Sequence, residues 1–160
     1  MNVLVLHCYI LFTIQAIKLW EDLRRSTCDK EKKLELCREV AKYFTGNVVL
    51  WMKQAAGVRM LEHLVIHGDA DIISKLFNEV NNKKALLEIM KDTHSYHFLL
   101  KILKHGNKEQ RTAIISAMEG QIVRLTKHSI ASQVVELAFS DFATSLQRGM
   151  MLQEFFGPRF

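Results

Sequence analysis

Two pairs of histidines have a spacing that could place them around a metal ion. His63 and His67 are four residues apart and His94 and His97 are three apart, so each pair can share one face of a helix. A zinc site needs three or four ligands, and no cysteine or third ligand lies at a fitting distance from either pair. We therefore expect neither a metal ion nor any other cofactor.

A second group of residues has the types that hydrolases use. Asp92, Ser95 and His97 lie within one short stretch, but closeness along a helix does not by itself give the geometry of an activated nucleophile. The sequence also has no Gly-x-Ser-x-Gly elbow, no phosphate-binding loop and no HExxH motif. We expect that the chain is not an enzyme.

The composition favours a helical protein that could bind an anionic partner. The chain has 160 residues with 49% hydrophobic residues, enough for one domain with a buried core. It contains 7 glycines and 1 proline, and so it has few residues that break helices. Its 22 basic and 17 acidic residues give a net charge of +5, which permits but does not require a nucleic-acid partner.

Neither the three cysteines nor residues 1–16 indicate a specific function. Cys8, Cys28 and Cys37 are odd in number and form no CxxC motif, which argues against a disulfide scaffold and favours a reducing compartment. Residues 1–16 contain no charged side chain, but their apolar stretch is shorter than the ~20 residues of a membrane helix. We interpret 1–16 as an atypical apolar N-terminal segment.

The chain contains an internal repeat. Segments that begin at Gly46, Lys84 and Gly120 align without gaps at periods of about 38 and then about 36 residues. Four columns are apolar in all three segments: Val48, Leu86 and Ile122; Trp51, Ile89 and Leu125; Leu61, Leu99 and Val135; Leu64, Ile102 and Ala138. Such periods, in segments rich in helix-forming residues, are typical of stacked helical repeats.

Each repeat is predicted to contain three helices. Two helical stretches separated by a polar patch are followed by a third, expected at 71–81, 108–118 and 143–155. The fold class is therefore all-α, a right-handed α-solenoid of about three three-helix repeats. The expected repeat domain is 17–160, with repeats at approximately 30–68, 69–106 and 107–157.

Polar residues and glycines mark the expected helix ends. Asp29 is expected to be the N-cap of a helix over 30–44. The pattern over 17–25 predicts one more short amphipathic helix. Gly68 and Gly106 each follow the second helix of a repeat. We expect them to be C-terminal caps with a positive φ, which glycine adopts at little cost.

Basic residues also recur with the repeat. Lys53, Lys91 and Lys127 share one column at the end of the first helix. Stacking would align them along one edge, where they could meet a phosphate backbone. The alternative is that each lysine only interacts favourably with the end of its own helix. His67 and His105 share another column, which we interpret as structural.

The repeats resemble those of Pumilio-type PUF proteins. Their length, the polar and aromatic triplet that opens the second helix and the glycine that closes it are similar to that family. Segments 18–40, 131–141 and 146–157 resemble the N-terminal repeats of its Puf-A branch, nucleolar proteins also called penguin homologues. The resemblance covers 17–160 and leaves out 1–16.

In that family the second helix of each repeat lines a concave surface, where two side chains one turn apart reach a base edge and the residue beside the first stacks on the base. The resemblance implies three triplets: Val58, Arg59 and Glu62; Tyr96, His97 and Leu100; Ser132, Gln133 and Glu136. Only the third keeps a Ser and Glu pair, which in the family suits guanine. Val58 and Leu100 cannot hydrogen-bond a base, so we expect little sequence preference.

The resemblance implies a protein that binds RNA, structured or single-stranded, or DNA. It further implies a nuclear and nucleolar location and a role in ribosome biogenesis and rRNA processing or in translational regulation. The alternative is a HEAT- or armadillo-like scaffold that binds another protein, because a net charge of +5 suits either partner.

The last helix is expected to present an apolar surface. Met150, Met151, Phe155 and Phe156 lie where a following repeat would pack, whereas a terminal repeat normally has a polar outer face. Three explanations are open. The chain could be part of a longer repeat protein, copies could associate through this end, or the chain could cap itself.

Overall fold

The computed structural model describes residues 3–25 and 29–157, and every regular element within these two stretches is a helix. The helices are α1 Val3–Arg25, α2 Lys30–Phe44, α3 Val48–Met52, α4 Ala55–His67, α5 Ala70–Asn78, α6 Lys83–Lys91, α7 Tyr96–His105, α8 Lys108–Met118, α9 Ile122–Thr126, α10 Ala131–Leu137 and α11 Ser145–Phe156. α10 continues as one π-helical turn, Ala138–Phe142. The predicted all-α solenoid is confirmed.

Side-chain caps explain where the third helix of each repeat begins. Asp69, Asn107 and Thr144 each accept a hydrogen bond from the backbone N–H three residues later, which satisfies one of the unpaired donors of a helix start. The expected bounds of α8 are correct, whereas α5 ends three residues before the predicted 81. Asp29 precedes α2 as expected, but its side chain makes no capping bond.

Gly68 and Gly106 end their helices for a reason other than the expected one. Their φ angles are −76° and −72°, so neither adopts a left-handed conformation. What requires glycine is space: a Cβ at Gly106 would lie 2.5 Å from the carbonyl oxygen of Ile102 and 2.6 Å from Oε1 of Gln110. The positive φ angles belong instead to Gly46, Gly120 and Gly157.

The N-terminal part of the chain forms one helix rather than two. α1 runs from Val3 to Arg25 without a break, so the short helix predicted at 17–25 is the second half of a longer one. Ala16 and Leu23 are buried and α1 packs against α2. Among the helices described here, none is both long and apolar enough to cross a membrane.

The second helices of the repeats form a row in which α7 packs between α4 and α10. Two of the predicted apolar columns lie in this row: Leu61, Leu99 and Val135, and Leu64, Ile102 and Ala138, all at most 5% exposed. Burying one such side chain stabilises a fold by about 1.5 to 3 kcal/mol. The columns therefore hold the row together and fix which face of each helix remains exposed.

A carboxylate closes the first and the third repeat in the same way. Glu79, after α5, accepts hydrogen bonds from the backbone N–H groups of Gly46 at 2.5 Å and Val48 at 3.1 Å. Glu154 of α11 accepts from Gly120 and from Ile122, the latter at 3.0 Å. The carboxylate binds the N–H groups that open the first helix of its repeat, where a negative charge is favourable.

The last helix exposes side chains whose counterparts in the preceding repeats are buried. When positions are counted from the N-caps Asp69 and Thr144, Leu152 corresponds to Phe77 and Phe155 corresponds to Val80. Phe77 and Val80 are 1% and 0% exposed, whereas Leu152 and Phe155 are 37% and 47% exposed. Met150 is exposed as expected, but Met151 is buried against the core because it follows the same pattern as buried Leu76.

We predict that this apolar end makes the isolated chain self-associate, because exposed apolar patches of this kind favour contact between proteins. Replacing Leu152 and Phe155 by serine should shift the sedimentation profile at high concentration from oligomers to monomer. Leu146→Ser, also on α11 and 76% exposed, is the matched control. A wild-type monomer at every concentration would contradict the prediction.

Candidate nucleic-acid interface

Small residues occupy equivalent positions near the start of α4, α7 and α10. Gly57, Ser95 and Ala131 share one column and are all buried. A Cβ at Gly57 would collide with the carbonyl oxygen of Trp51. Because this contact is tight, it fixes the position of α4. The exposed side chains of α4 project from that position.

Ser95 also holds α7 in place by hydrogen bonds. Its hydroxyl lies 3.0 Å from the carbonyl oxygen of Met52 and 2.7 Å from Oδ1 of Asp92. Burial raises the pKa of Asp92, but hydrogen bonds from Ser95 and from the backbone of His94 outweigh this and leave the pKa below its usual value. Asp92 and Ser95, two residues of the hydrolase types, are thus engaged in structural hydrogen bonds.

One column of the predicted triplets forms an exposed line across the row. Arg59 on α4, His97 on α7 and Gln133 on α10 are all exposed. Nδ1 of His97 lies 3.9 Å from Oε1 of Glu62, and its ring centroid lies 4.0 Å from that of Tyr96. A planar or flat side chain is therefore available at the family's stacking position in each repeat.

The residues of the first two triplets that would reach a base edge are less accessible. Val58 is 2% exposed and packs inside the protein, which corrects its assignment to the binding surface. Tyr96 and Leu100 are partly buried against the core. The remaining base-edge residue of these two triplets is Glu62, whose carboxylate lies beside His97.

The third triplet borders an apolar groove. The hydroxyl of Ser132 donates to the carbonyl oxygen of Ser129 at 3.3 Å, while Glu136 is exposed. Both residues line a groove of about 420 Å³ together with Phe139 and Phe155. The surroundings of this Ser and Glu pair are therefore more apolar than those of the other two triplets.

The three lysines of the repeat column are exposed at equivalent places. Lys53 and Lys127 follow the last residues of α3 and α9, and Lys91 is the last residue of α6. Lys53 lines a groove with Glu88 and Asp92, so carboxylates offset part of its charge. The column is accessible, as its proposed role requires.

Further basic residues, which the motif analysis did not assign to the interface, extend the row toward α1. His63 and His67 lie one turn apart on α4 with ring centroids 5.7 Å apart, and the ring of Trp20 meets the edge of His63 at 6.0 Å. The guanidinium of Arg24 lies over Trp20, 5.1 Å from the ring centroid. The sequence feature that could have identified this region is the amphipathic helix predicted before the repeats.

The neighbouring helix adds cations to the same region. Lys101 and His105 are one turn apart on α7, the direct neighbour of α4. His67 and His105 are both exposed, so neither side chain fills the core, and the structural role of their column stays a prediction. Within the described residues, no group of three or more histidine, cysteine or acidic side chains could hold a metal ion.

The three histidines of this region favour the neutral form. Burial lowers the pKa of His63, and His67, Arg24 and Lys101 lower it further. Burial and then Lys33 and His105 lower the pKa of His67. For His105 the causes are burial and then Lys101 and Lys104. Each imidazole therefore resists taking up a proton among these cations.

We predict that the protein loses stability as the pH falls below the ordinary histidine value of 6.5. In the unfolded chain His63 binds a proton more readily than in the folded one, so protonation favours unfolding through this pH range. The thermal midpoint should drop between about pH 7.5 and about pH 5.5. His63→Gln should reduce the drop, and the exposed His94→Gln should not. Equal drops in both variants would contradict the prediction.

Comparison with known proteins agrees with this geometry. Residues 86–118 match the Pumilio-family RNA binding repeat. Pumilio homolog 3 of Rattus norvegicus is 31% identical over 147 residues, which are 92% of this chain and 22% of the relative. Pumilio domain-containing protein 12 of Caenorhabditis elegans is 33% identical over 143 residues, 89% of this chain and 18% of the relative. The chain thus spans about a fifth of these relatives.

The crystal structure of human Puf-A superposes with a TM-score of 0.82 at 29% identity, over 91% of this chain and 28% of that one. Human Puf-A in complex with DNA matches equally well, with the same TM-score of 0.82. The two chains therefore share the fold over nearly all of this chain. The chain belongs to the Pumilio (PUF) repeat family and resembles its Puf-A branch.

Proposed function

We propose that this chain binds nucleic acid, RNA and also DNA, through the exposed faces of α4, α7 and α10. The observation that carries the proposal is the line of Arg59, His97 and Gln133, exposed at equivalent places on a row of Pumilio repeats. A similar protein, human Puf-A, has been crystallised with DNA. Stacking on a base is open to Arg and His side chains, since every base offers a flat face.

The proposed binding has little sequence preference. Recognition of a base edge needs hydrogen-bonding side chains in the right place. Val58 is buried and Leu100 is apolar, so two of the three triplets lack a complete base-reading pair. Contacts to phosphates, which are the same in every sequence, then supply most of the affinity.

The proposed cellular role follows the resemblance to the Puf-A branch. We place the protein in the nucleus and nucleolus, in ribosome biogenesis and rRNA processing or in translational regulation. A fluorescent fusion imaged together with a nucleolar marker tests the location. Exclusion of the fusion from the nucleolus would contradict it and leave nucleic-acid binding as a separate question.

We predict that affinity for RNA falls steeply with salt and varies little with sequence. Each phosphate contact to a single strand should contribute about 0.7 to the slope of log affinity against log salt. Titrations with unrelated single strands and hairpins at several salt concentrations measure both properties. A strong preference for one short sequence that persists at high salt would contradict the proposal.

Stacking and charge can be separated by two sets of variants. Arg59→Ala with His97→Ala should weaken binding of a single strand by about tenfold or more, since each stack is worth about 1 to 3 kcal/mol. Duplex binding should change less, because paired bases cannot reach these side chains. The measurement is the affinity for a single strand and a duplex of equal length.

Replacing Lys53, Lys91 and Lys127 by glutamine should instead weaken both ligands about equally and flatten the salt slope. The control is the same change at Lys42, Lys75 and Lys108, which removes equal charge from α2, α5 and α8. Equal losses in the two lysine sets would show that only net charge matters. If neither the stacking variant nor the lysine variant alters RNA affinity, the alternative function, a scaffold that binds another protein, becomes the better interpretation.

A further inference from the structure

We infer that the end of the row nearest α1 is a phosphodiester-binding site whose histidines take up a proton when the ligand binds. The site, called here the histidine cluster, consists of Arg24, Lys33, His63, His67, Lys101 and His105. It rests on the proposed function, because the phosphodiester is that of the bound nucleic acid. It adds a location and a coupling to pH that the repeat family does not specify.

Four helices, α1, α2, α4 and α7, bring the histidine cluster together. α4 carries His63 and His67, and it packs against α2 and α7. Trp20 of α1 meets His63 ring edge to ring face, and the guanidinium of Arg24 lies over the ring of Trp20. The cluster thus has contributions from both sides of α4, so its groups can surround a ligand on the exposed face of that helix.

The charges that act on these histidines are positive. The groups that act on them are Arg24 from α1, Lys33 from α2, and Lys101 and Lys104 from α7. Among these cations the protonated form of each imidazole is disfavoured unless an anion joins the group. Within the part of the chain that the structure describes, no carboxylate is paired with these cations.

The carboxylates around the cluster have other partners. Asp69 caps α5 and accepts two hydrogen bonds from Arg38, at 3.0 and 3.2 Å. Glu21 pairs with Arg25 at 3.7 Å, on the helix that carries Arg24. Glu62 lies beside His97 in the neighbouring triplet. These pairings leave the charge of the cluster to an external anion.

The chemistry of a phosphodiester matches that of the histidine cluster. A phosphodiester carries a full negative charge and accepts several hydrogen bonds. A protonated imidazole donates from both nitrogens, whereas the neutral ring donates from one. Bringing a phosphodiester next to His63, His67 and His105 offsets the cations that depress their affinity for protons. Binding and protonation must then strengthen each other, since linkage is reciprocal.

The test measures proton uptake by the whole chain on binding oligouridylate. Uridine has no group that titrates between about pH 6 and about pH 7.5, where only histidine of the ordinary side chains does. Calorimetry in two buffers of different ionisation enthalpy, at constant ionic strength, gives the protons taken up per complex. We expect uptake near pH 6.5 and an affinity that rises by up to about tenfold per proton for each unit the pH falls.

The decisive variant replaces His63, His67 and His105 by glutamine, and its control is His94→Gln. The triple variant should bind at about pH 7.5 but lose the proton uptake and the rise in affinity at low pH, while the control keeps both. Proton uptake that persists in the triple variant would overturn the inference and leave the proposed function intact. Absence of oligouridylate binding by the wild type at low salt would instead overturn the proposed function.

A second readout separates a phosphodiester site from a general response to acid. The histidine ring signals of the free and bound protein, followed by NMR across the same pH range, should show the pKa values of the three rings rising on binding. The ring signals of the exposed His94 should change less on binding. Equal shifts at His94 and at the cluster would mean that the ligand acts through the overall charge, and the inference would be wrong.

Discussion

The surface of this protein depends on the burial of two columns of side chains where α4, α7 and α10 pack together. Leu61, Leu99 and Val135 form one column, and Leu64, Ile102 and Ala138 form the other. Because the side chains of a helix are fixed in angle relative to one another, burying these positions decides which others face outward. The line of Arg59, His97 and Gln133 is exposed for this reason, and Val58 is buried for the same reason.

Backbone contacts hold the repeats in this arrangement and leave the exposed residues free to vary. Arg111 donates to the carbonyl oxygens of Leu103 and Lys104, and Arg148 does the same to Phe139 and Ser140. These bonds, like those made by Glu79 and Glu154, join a side chain to the backbone at a helix end, so they do not depend on which residues occupy the row. The fold can thus persist while the base-reading residues change.

The sequence predicted the scaffold more reliably than the surface. Periodicity found α8 and the buried columns, because burial recurs with the repeat, and Asp29 marked the start of α2. It failed at Gly68, where glycine avoids a collision rather than allowing a positive φ. The family resemblance failed at Val58, which lies on the same face of α4 as the buried Leu61. The triplets came from the family resemblance, and no spacing rule alone would have chosen them.

The two ends of the row, at α1 and at α11, differ in the kind of interaction that remains unsatisfied at the surface. Toward α11 the interaction is apolar: Leu152 and Phe155 are exposed, whereas their counterparts Phe77 and Val80 are buried. Toward α1 it is electrostatic: Arg24, Lys33 and Lys101 act on His63 and His67, and no ion pair to these three cations is seen within residues 3–25 and 29–157. An apolar surface is satisfied by packing of almost any matching shape, whereas a cluster of cations and partly buried histidines selects for negative charge. A polyanion lying along the row would therefore be held most firmly at the α1 end, and its path across Arg59, His97 and Gln133 would begin there.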